Sequence, residues 1–285
     1  MTGRTERIGF IGLGDQGEPM AHRIAEAGWP LTLWARRAAS LDPFAGTAAT
    51  IAASPAELAR QVDMVCLCTF GEADLEELLF GRADGVAAGL TAGQVLIIHN
   101  TVSPQTCRAV DARLAERGVV TIDAPVAGGR ERAFAGKLAV MAGGEAAAFD
   151  RAAPVLRSYG DPVVRLGPVG SGQVAKILNN ALMICNMQMA DSALTLARAM
   201  GLDGAAVGDL LLHASASSTA LGLLVAHDSG ARTAHAGGPG IITKDIGLFQ
   251  ALCATSGQDA GALGTVGAAA AARAARLLRL EEGEG

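Results

Sequence analysis

The sequence predicts an α/β domain with a doubly wound, mainly parallel sheet, followed by an all-α domain, the two joined by a long helix. Three observations predict it. Short apolar runs alternate with helical patterns through the first 166 residues. After Gly172 no further strand pattern follows. A G-x-G-x-x-G stands directly between the first apolar run and the first helical pattern. The expected division is residues 1–167 for the α/β domain and 168–285 for the helical one.

Each element follows from a local signal. "RIGFIGLG" reads as a buried strand ending in glycines, and Glu18 to Ala27 as a helix stopped by Gly28. "LTLWA" is a second strand. Ser54-Pro55-Ala56-Glu57 is a capping box with proline at the first helical position. "VDMVCLCT", "QVLIIHN" and "VVTIDAP" are three further strands, with a helix opened by Ser103-Pro104 and closed by Gly118 before the last. "KLAVMAGG" and "DPVVRLG" extend the sheet. Strands alternating with helices imply right-handed crossovers and parallel pairing.

Residues 171–200 read as one helix, about 45 Å long at 1.5 Å per residue. It places Val174, Ile177, Leu178, Leu182 and Met183 on one side and stops at Gly201. Four more helices are expected over 203–213, 218–227, 239–256 and 261–280, with "EEGEG" as a frayed acidic tail.

Composition narrows the function. Half of the 285 residues are hydrophobic, enough for a sizeable core. A net charge of −5 without a dense Lys/Arg run argues against nucleic acid. The longest apolar segments fall short of a membrane span, and the N-terminus carries Arg4, Glu6 and Arg7 where a leader would be apolar. Five cysteines without ligand spacing read as reduced core thiols, which fits a cytoplasmic protein. His22, His213, His227 and His235 show no metal spacing, and His99 reads as a structural histidine at a strand end. No metal is expected. "LLHASASSTAL" reads as a Ser-capped turn between helices.

The glycine motif carries the first chemical expectation. In Gly12-Leu13-Gly14-Asp15-Gln16-Gly17 the first glycine allows a tight turn. The second lets a pyrophosphate approach, and the third lets helix and strand pack closely. The helix N-terminus then faces the phosphates. Where an NAD site places an acid at the end of the second strand, this chain has Arg36 and Arg37. A guanidinium pair suits a 2′-phosphate, so NADP(H) is favoured over NAD(H).

The second expectation lies in "GPVGSGQVAKILNN", residues 167–180. Lys176 and Asn180 are four apart and share a helix face, while Asn179 is rotated by about 100°. The helix N-terminus, burial and a nearby oxidised nicotinamide all favour a neutral amine. Such an amine exchanges a proton with a hydroxyl while hydride moves to or from a cofactor.

"GFIGLGDQGEPMA", "DAPVAGG", "GPVGSGQVAKILNN" and "TKDIGL" together resemble, in order and spacing, the signature blocks of the β-hydroxyacid dehydrogenases, the group of 3-hydroxyisobutyrate dehydrogenase. The resemblance spans nearly the whole chain. It implies an N-terminal Rossmann domain and a helical C-terminal domain that builds dimers or tetramers. It implies a small carboxylate-bearing substrate, Lys176 as the acid/base and Asn180 as a substrate-positioning residue. It places Cys68, Thr69, Thr101 and Lys244 beside the cofactor, and Ala127, Gly128 and Gly129 in the substrate loop. Ala127 departs from the family's usual serine, so a hydroxyl donor to the substrate is lost. Backbone N–H groups of that loop, with Arg130 and Arg132 close by, are left to meet an anion. The related 6-phosphogluconate dehydrogenases carry histidine where this chain has Asn179, which argues against a phosphorylated sugar. Imine reductases usually lack the lysine. Two alternatives stay open: reduction of an imine or bulkier carbonyl, and a cofactor-binding protein without turnover.

Overall fold

The computed structural model describes residues 5–226 and 238–281. The chain divides into two compact units, residues 1–176 and 177–285.

The first unit begins with β1 (Ile8–Ile11), α1 (Gly17–Glu26), β2 (Leu31–Trp34) and β3 (Thr50–Ile51). It continues through α2 (Pro55–Gln61), β4 (Met64–Leu67), α3 (Glu72–Glu76), α4 (Val86–Gly89), β5 (Val95–Ile98), α5 (Pro104–Ala115) and β6 (Val120–Asp123). The last elements are β7 (Val126–Ala127), α6 (Gly129–Phe134), β8 (Leu138–Gly143), α7 (Ala146–Leu156) and β9 (Gly160–Gly167). Strands run in the order β3-β2-β1-β4-β5-β6-β8-β7, with β9 beside β8. The six strands from β3 to β6 pair in parallel, as the sequence pattern predicts. β8 is the exception, antiparallel to both β6 and β7, because the connection from β7 is too short for a parallel crossover; β9 then pairs with β8 in parallel.

Two cores flank this sheet. Phe10, Ile24, Leu33, Cys66 and Ile97 pack on one face, and Ile11, Leu58, Leu67, Ile98 and Leu114 on the other. Buried on both faces, the strands read as continuous apolar runs. The predicted capping box forms with a shift: Ser54 Oγ accepts from Glu57 N at 3.1 Å, while the Glu57 carboxylate reaches Ala53 N at 2.8 Å.

α8 (Ser171–Ala199) runs through the division between the units. The second unit continues with α9 (Gly204–Leu212), α10 (Thr219–Ala226), α11 (Pro239–Ser256) and α12 (Gly261–Glu281), matching the predicted helices. Its core sets Ile177, Ala181 and Ile184 of α8 against Ile246 and Phe249 of α11 and Ala270 of α12. This corrects the expected apolar stripe: Leu178 and Leu182 are 44% and 51% exposed. Ser218 caps the turn before α10 through Leu221 N at 3.1 Å. His227 and His235 lie outside the described residues, as does "EGEG" of the tail. Among the described residues no helix is long and apolar enough to cross a membrane, and no group of three His, Cys, Asp or Glu residues could hold a metal.

Candidate active site

The strand order reverses between β1 and β4, where open α/β sheets bind ligands at the strands' carboxyl ends. The glycine loop stands there. Gly12 has φ +101°, and a Cβ on it would come within 2.1 Å of the Cys68 carbonyl oxygen. A Cβ on Gly17 would meet Gly12 O at 1.9 Å, so α1 packs hard on β1. Gly14 differs: nothing lies within 4 Å of where its Cβ would be. Two glycines thus shape the turn and the third faces open space. Gln16 adds a buried Nε2 with no hydrogen-bond partner among the described residues. An open cradle at a helix N-terminus with an unsatisfied donor beside it fits a dinucleotide pyrophosphate. Leu13 is buried and Asp15 exposed.

Arg36 and Arg37 are exposed just beyond β2. Arg36 is engaged from across the loop, with Nη2 3.3 Å from Asp74 Oδ1 and 3.6 Å from Glu77 Oε2. Cys68 and Thr69 follow β4. Asn100, at the end of β5, ties that segment down: its Oδ1 accepts Thr69 N–H at 3.1 Å, and its Nδ2 donates to Thr69 Oγ1. Thr101 is next, half-buried. His99, just before, is structural. Its Nδ1 donates to Ala124 O at 2.6 Å, which leaves Nε2 to accept the Tyr159 hydroxyl at 3.1 Å. Burial lowers its pKa to about 4.

Sequence reasoning missed Asp123. At the end of β6 it is fully buried, and both oxygens accept backbone N–H groups from the approach to α8: Oδ1 from Gly170 at 2.6 Å, Oδ2 from Gln173 at 2.8 Å. Burial pushes its carboxyl up from the usual range, against the downward pull of those bonds. The glycines of the approach serve this contact. Gly170 has φ +96°, and a Cβ on Gly172 would strike Met141 O at 2.2 Å. A lone acid closing an apolar strand is the signal that points to it. Lys176, half-buried, is the last residue of the first unit.

In the loop expected to meet the substrate, Ala127 pairs with Ala139 across β7 and β8, and Gly128 and Gly129 are exposed with φ +136° and +76°. The flanking arginines have partners within the loop's surroundings. Arg130 Nη2 lies 2.9 Å from Glu18 Oε1 and its Nη1 donates to Asp15 O at 3.1 Å, while Arg132 Nε donates to Lys137 O at 3.0 Å. Arg130 thus fastens the start of α6 to the glycine loop and α1.

In the second unit Asn180 is buried, with Nδ2 donating to Asp245 Oδ2 at 2.7 Å and Oδ1 accepting from Asn179 Nδ2 at 3.1 Å. Asp245, itself buried, fixes which end of the amide is nitrogen. Lys244 Nζ stands 3.5 Å from Asp245 Oδ1.

Residues 7–167 match the family described as the NAD binding domain of 6-phosphogluconate dehydrogenase. Residues 170–284 match the one described as "NAD-binding of NADP-dependent 3-hydroxyisobutyrate dehydrogenase". The chain is 31% identical over 252 residues to an NAD-dependent L-serine dehydrogenase of Pseudomonas aeruginosa, covering 86% of this chain and 84% of that one. It is 34% identical over 245 residues to an L-threonate dehydrogenase of Cupriavidus necator, covering 86% and 82%. A solved Mycobacterium tuberculosis 3-hydroxyisobutyrate dehydrogenase with L-serine superposes with TM-score 0.82 at 25% identity, covering 96% and 94%.

Proposed function

This chain belongs to the β-hydroxyacid dehydrogenase family of NAD(P)-dependent oxidoreductases, and from that premise we propose that it interconverts a small 3-hydroxy acid and its carbonyl partner with Lys176 carrying the proton. When bound, the nicotinamide supplies or accepts the hydride at the substrate's carbonyl carbon. Gly14 lets the pyrophosphate approach in the turn that Gly12 and Gly17 shape, with Leu13, Asp15 and Gln16 lining the same turn. Cys68, Thr69, Thr101 and Lys244 flank the remainder of the cofactor. Lys176 gives its proton to the carbonyl oxygen in reduction and takes it from the hydroxyl in oxidation. Asn180 donates to the same oxygen with the second hydrogen of Nδ2, since Asp245 and Asn179 already orient its amide.

The compounds named for the relatives share one chemistry. L-serine, L-threonate and 3-hydroxyisobutyrate each carry a carboxylate and a hydroxyl on the third carbon. The backbone N–H groups of Ala127, Gly128 and Gly129 receive such a carboxylate. The observation that carries the reading is Lys176 on the first turns of α8, whose start is bonded to the strand end that leads into this loop. Ala127 supports a second reading, since a methyl in place of a hydroxyl leaves room for a bulkier carbonyl or an imine.

Cofactor preference follows from β2: with Arg36 and Arg37 at its end and no acid, NADP(H) is the expected partner. The helical half is expected to join a second copy of the chain, because Leu178, Leu182, Met189 and Leu196 leave an exposed apolar row along α8, continued by Met200 just past its end.

Lys176→Ala tests the reading. It lowers kcat by about 10²- to 10⁴-fold while cofactor affinity, read by nucleotide fluorescence, stays within about threefold. An unchanged kcat overturns it. A substrate panel with NADPH and NADH decides between the two substrate classes: turnover of cyclic imines with none of the hydroxy acids selects the second reading.

A further inference from the structure

Gln173 stands three residues before Lys176 and is fully buried. A primary amide in an apolar setting is costly unless each polar atom finds a partner, and a leucine would fill the same space without that cost. Here both ends are satisfied by one short stretch of backbone. Oε1 accepts Val102 N–H at 3.1 Å, and Nε2 donates to Asn100 O at 2.8 Å. These two partners bracket Thr101. The side chain therefore pairs with the end of β5 as a residue in a parallel ladder pairs with the residues before and after its opposite number. Its own N–H is held by Asp123 Oδ2 at 2.8 Å, so backbone and side chain are both anchored.

We propose that Gln173 is a positioning residue for the reaction, which holds Thr101 and Lys176 in one fixed register. A helix keeps its rotation and rise from turn to turn, so fixing residue 173 at two points fixes the stem of Lys176 one turn on. The same amide fixes the loop on which Thr101 meets the cofactor. A proton donor displaced by about 1 Å costs on the order of 10²-fold in rate, so a small slip at this joint is felt in the chemical step. The inference rests on Lys176 as the acid/base.

Two substitutions in the full chain test it. Gln173→Met keeps volume and removes both hydrogen bonds. It lowers kcat by about ten- to a hundredfold with cofactor affinity within about threefold. Gln173→Glu adds a signature that packing alone does not produce. The introduced carboxyl, when protonated, carries one O–H donor and one acceptor, as the amide does. When ionised it turns an acceptor towards the Asn100 carbonyl. The ratio of its kcat to that of the unsubstituted enzyme rises as pH falls and drops at least about tenfold from about pH 5 to about pH 9. Among the described residues, Asp123 and Cys107 bond to Gln173, Glu72 and Arg108 act on Cys107, and Lys176 stands three residues on; the ratio removes what these groups contribute in the unsubstituted enzyme. A normal kcat in Gln173→Met, or a ratio that does not change with pH, overturns the positioning role. If either occurs while Lys176→Ala is inactive, only the role of Gln173 fails; if Lys176→Ala keeps its rate, both fall.

Discussion

Asp123 accepts the backbone N–H of Gly170 at 2.6 Å although 47 residues separate them, and the same carboxyl takes Gln173 N–H at 2.8 Å. One buried side chain thus caps the start of α8 from the end of β6. Removing it leaves two buried donors without partners. Bonds of this kind are worth about 1.5–3 kcal/mol each when an ionised acceptor is involved. Asp123→Ala is expected to destabilise the chain by roughly 3 kcal/mol, measured by urea unfolding, and Asp123→Asn by less, since its one oxygen keeps one bond. A change below the error of the measurement in Asp123→Ala removes this account of the helix start.

The glycine loop separates folding from binding. Gly14→Ala puts a methyl into open space, so the melting temperature stays put while cofactor affinity falls at least about tenfold, because the methyl occupies the pyrophosphate's approach. Gly12→Ala and Gly17→Ala drive a Cβ to 2.1 and 1.9 Å from carbonyl oxygens and lower the melting temperature instead. Differential scanning fluorimetry with and without NADPH reads both. Equal effects on folding from all three contradict the division of roles.

Much of this molecule is legible in its residues, and the reasons for the exceptions are physical. Strand runs from Ile8 to Asp123 are apolar without alternation because both faces are covered, and Ser54 and Ser103 announce the helices that they cap. Pairing direction at β7 and β8 is not legible, since it depends on how short connections turn. The buried face of α8 differs from the expected stripe because a helix rich in small and apolar residues offers several stripes, and Ala181 and Ile184 are buried in place of Leu178 and Leu182. In the site, Lys176 and the glycines are visible as motif residues. Asp123 and Gln173 stand in the same blocks, but their roles are not legible, because their partners lie 47 to 73 residues away and only the fold joins them.

Cofactor choice is testable at Arg36. Its guanidinium is shared between Asp74 and Glu77, and those carboxylates compete with any 2′-phosphate for it. Asp74→Asn releases part of that hold and strengthens NADPH binding relative to NADH. Replacing Arg36 and Arg37 together weakens NADPH far more than NADH, by about tenfold or more in the ratio of dissociation constants. Equal weakening of both nucleotides shows that the pair does not read the 2′-phosphate.

Acid sensitivity is expected from His99. Its folded pKa is lowered to about 4 from an ordinary 6.5 by burial, with the Ala124 carbonyl pulling the other way. Between those values the unfolded chain binds a proton that the folded chain refuses. Stability conferred by the neutral ring is therefore complete above the ordinary value and is lost as pH falls towards the lowered one. From about pH 7.5 to about pH 5 the loss from this one residue is about 2 kcal/mol. His99→Gln is less stable near neutrality, because the Ala124 carbonyl and the Tyr159 hydroxyl lose their ring partner, but it gives up about 2 kcal/mol less than the parent on acidification over that range. Urea unfolding at the two pH values, parent against variant, reads the difference directly. Parallel losses in both proteins place the acid sensitivity elsewhere, with the buried ring titrating as it does in the unfolded chain.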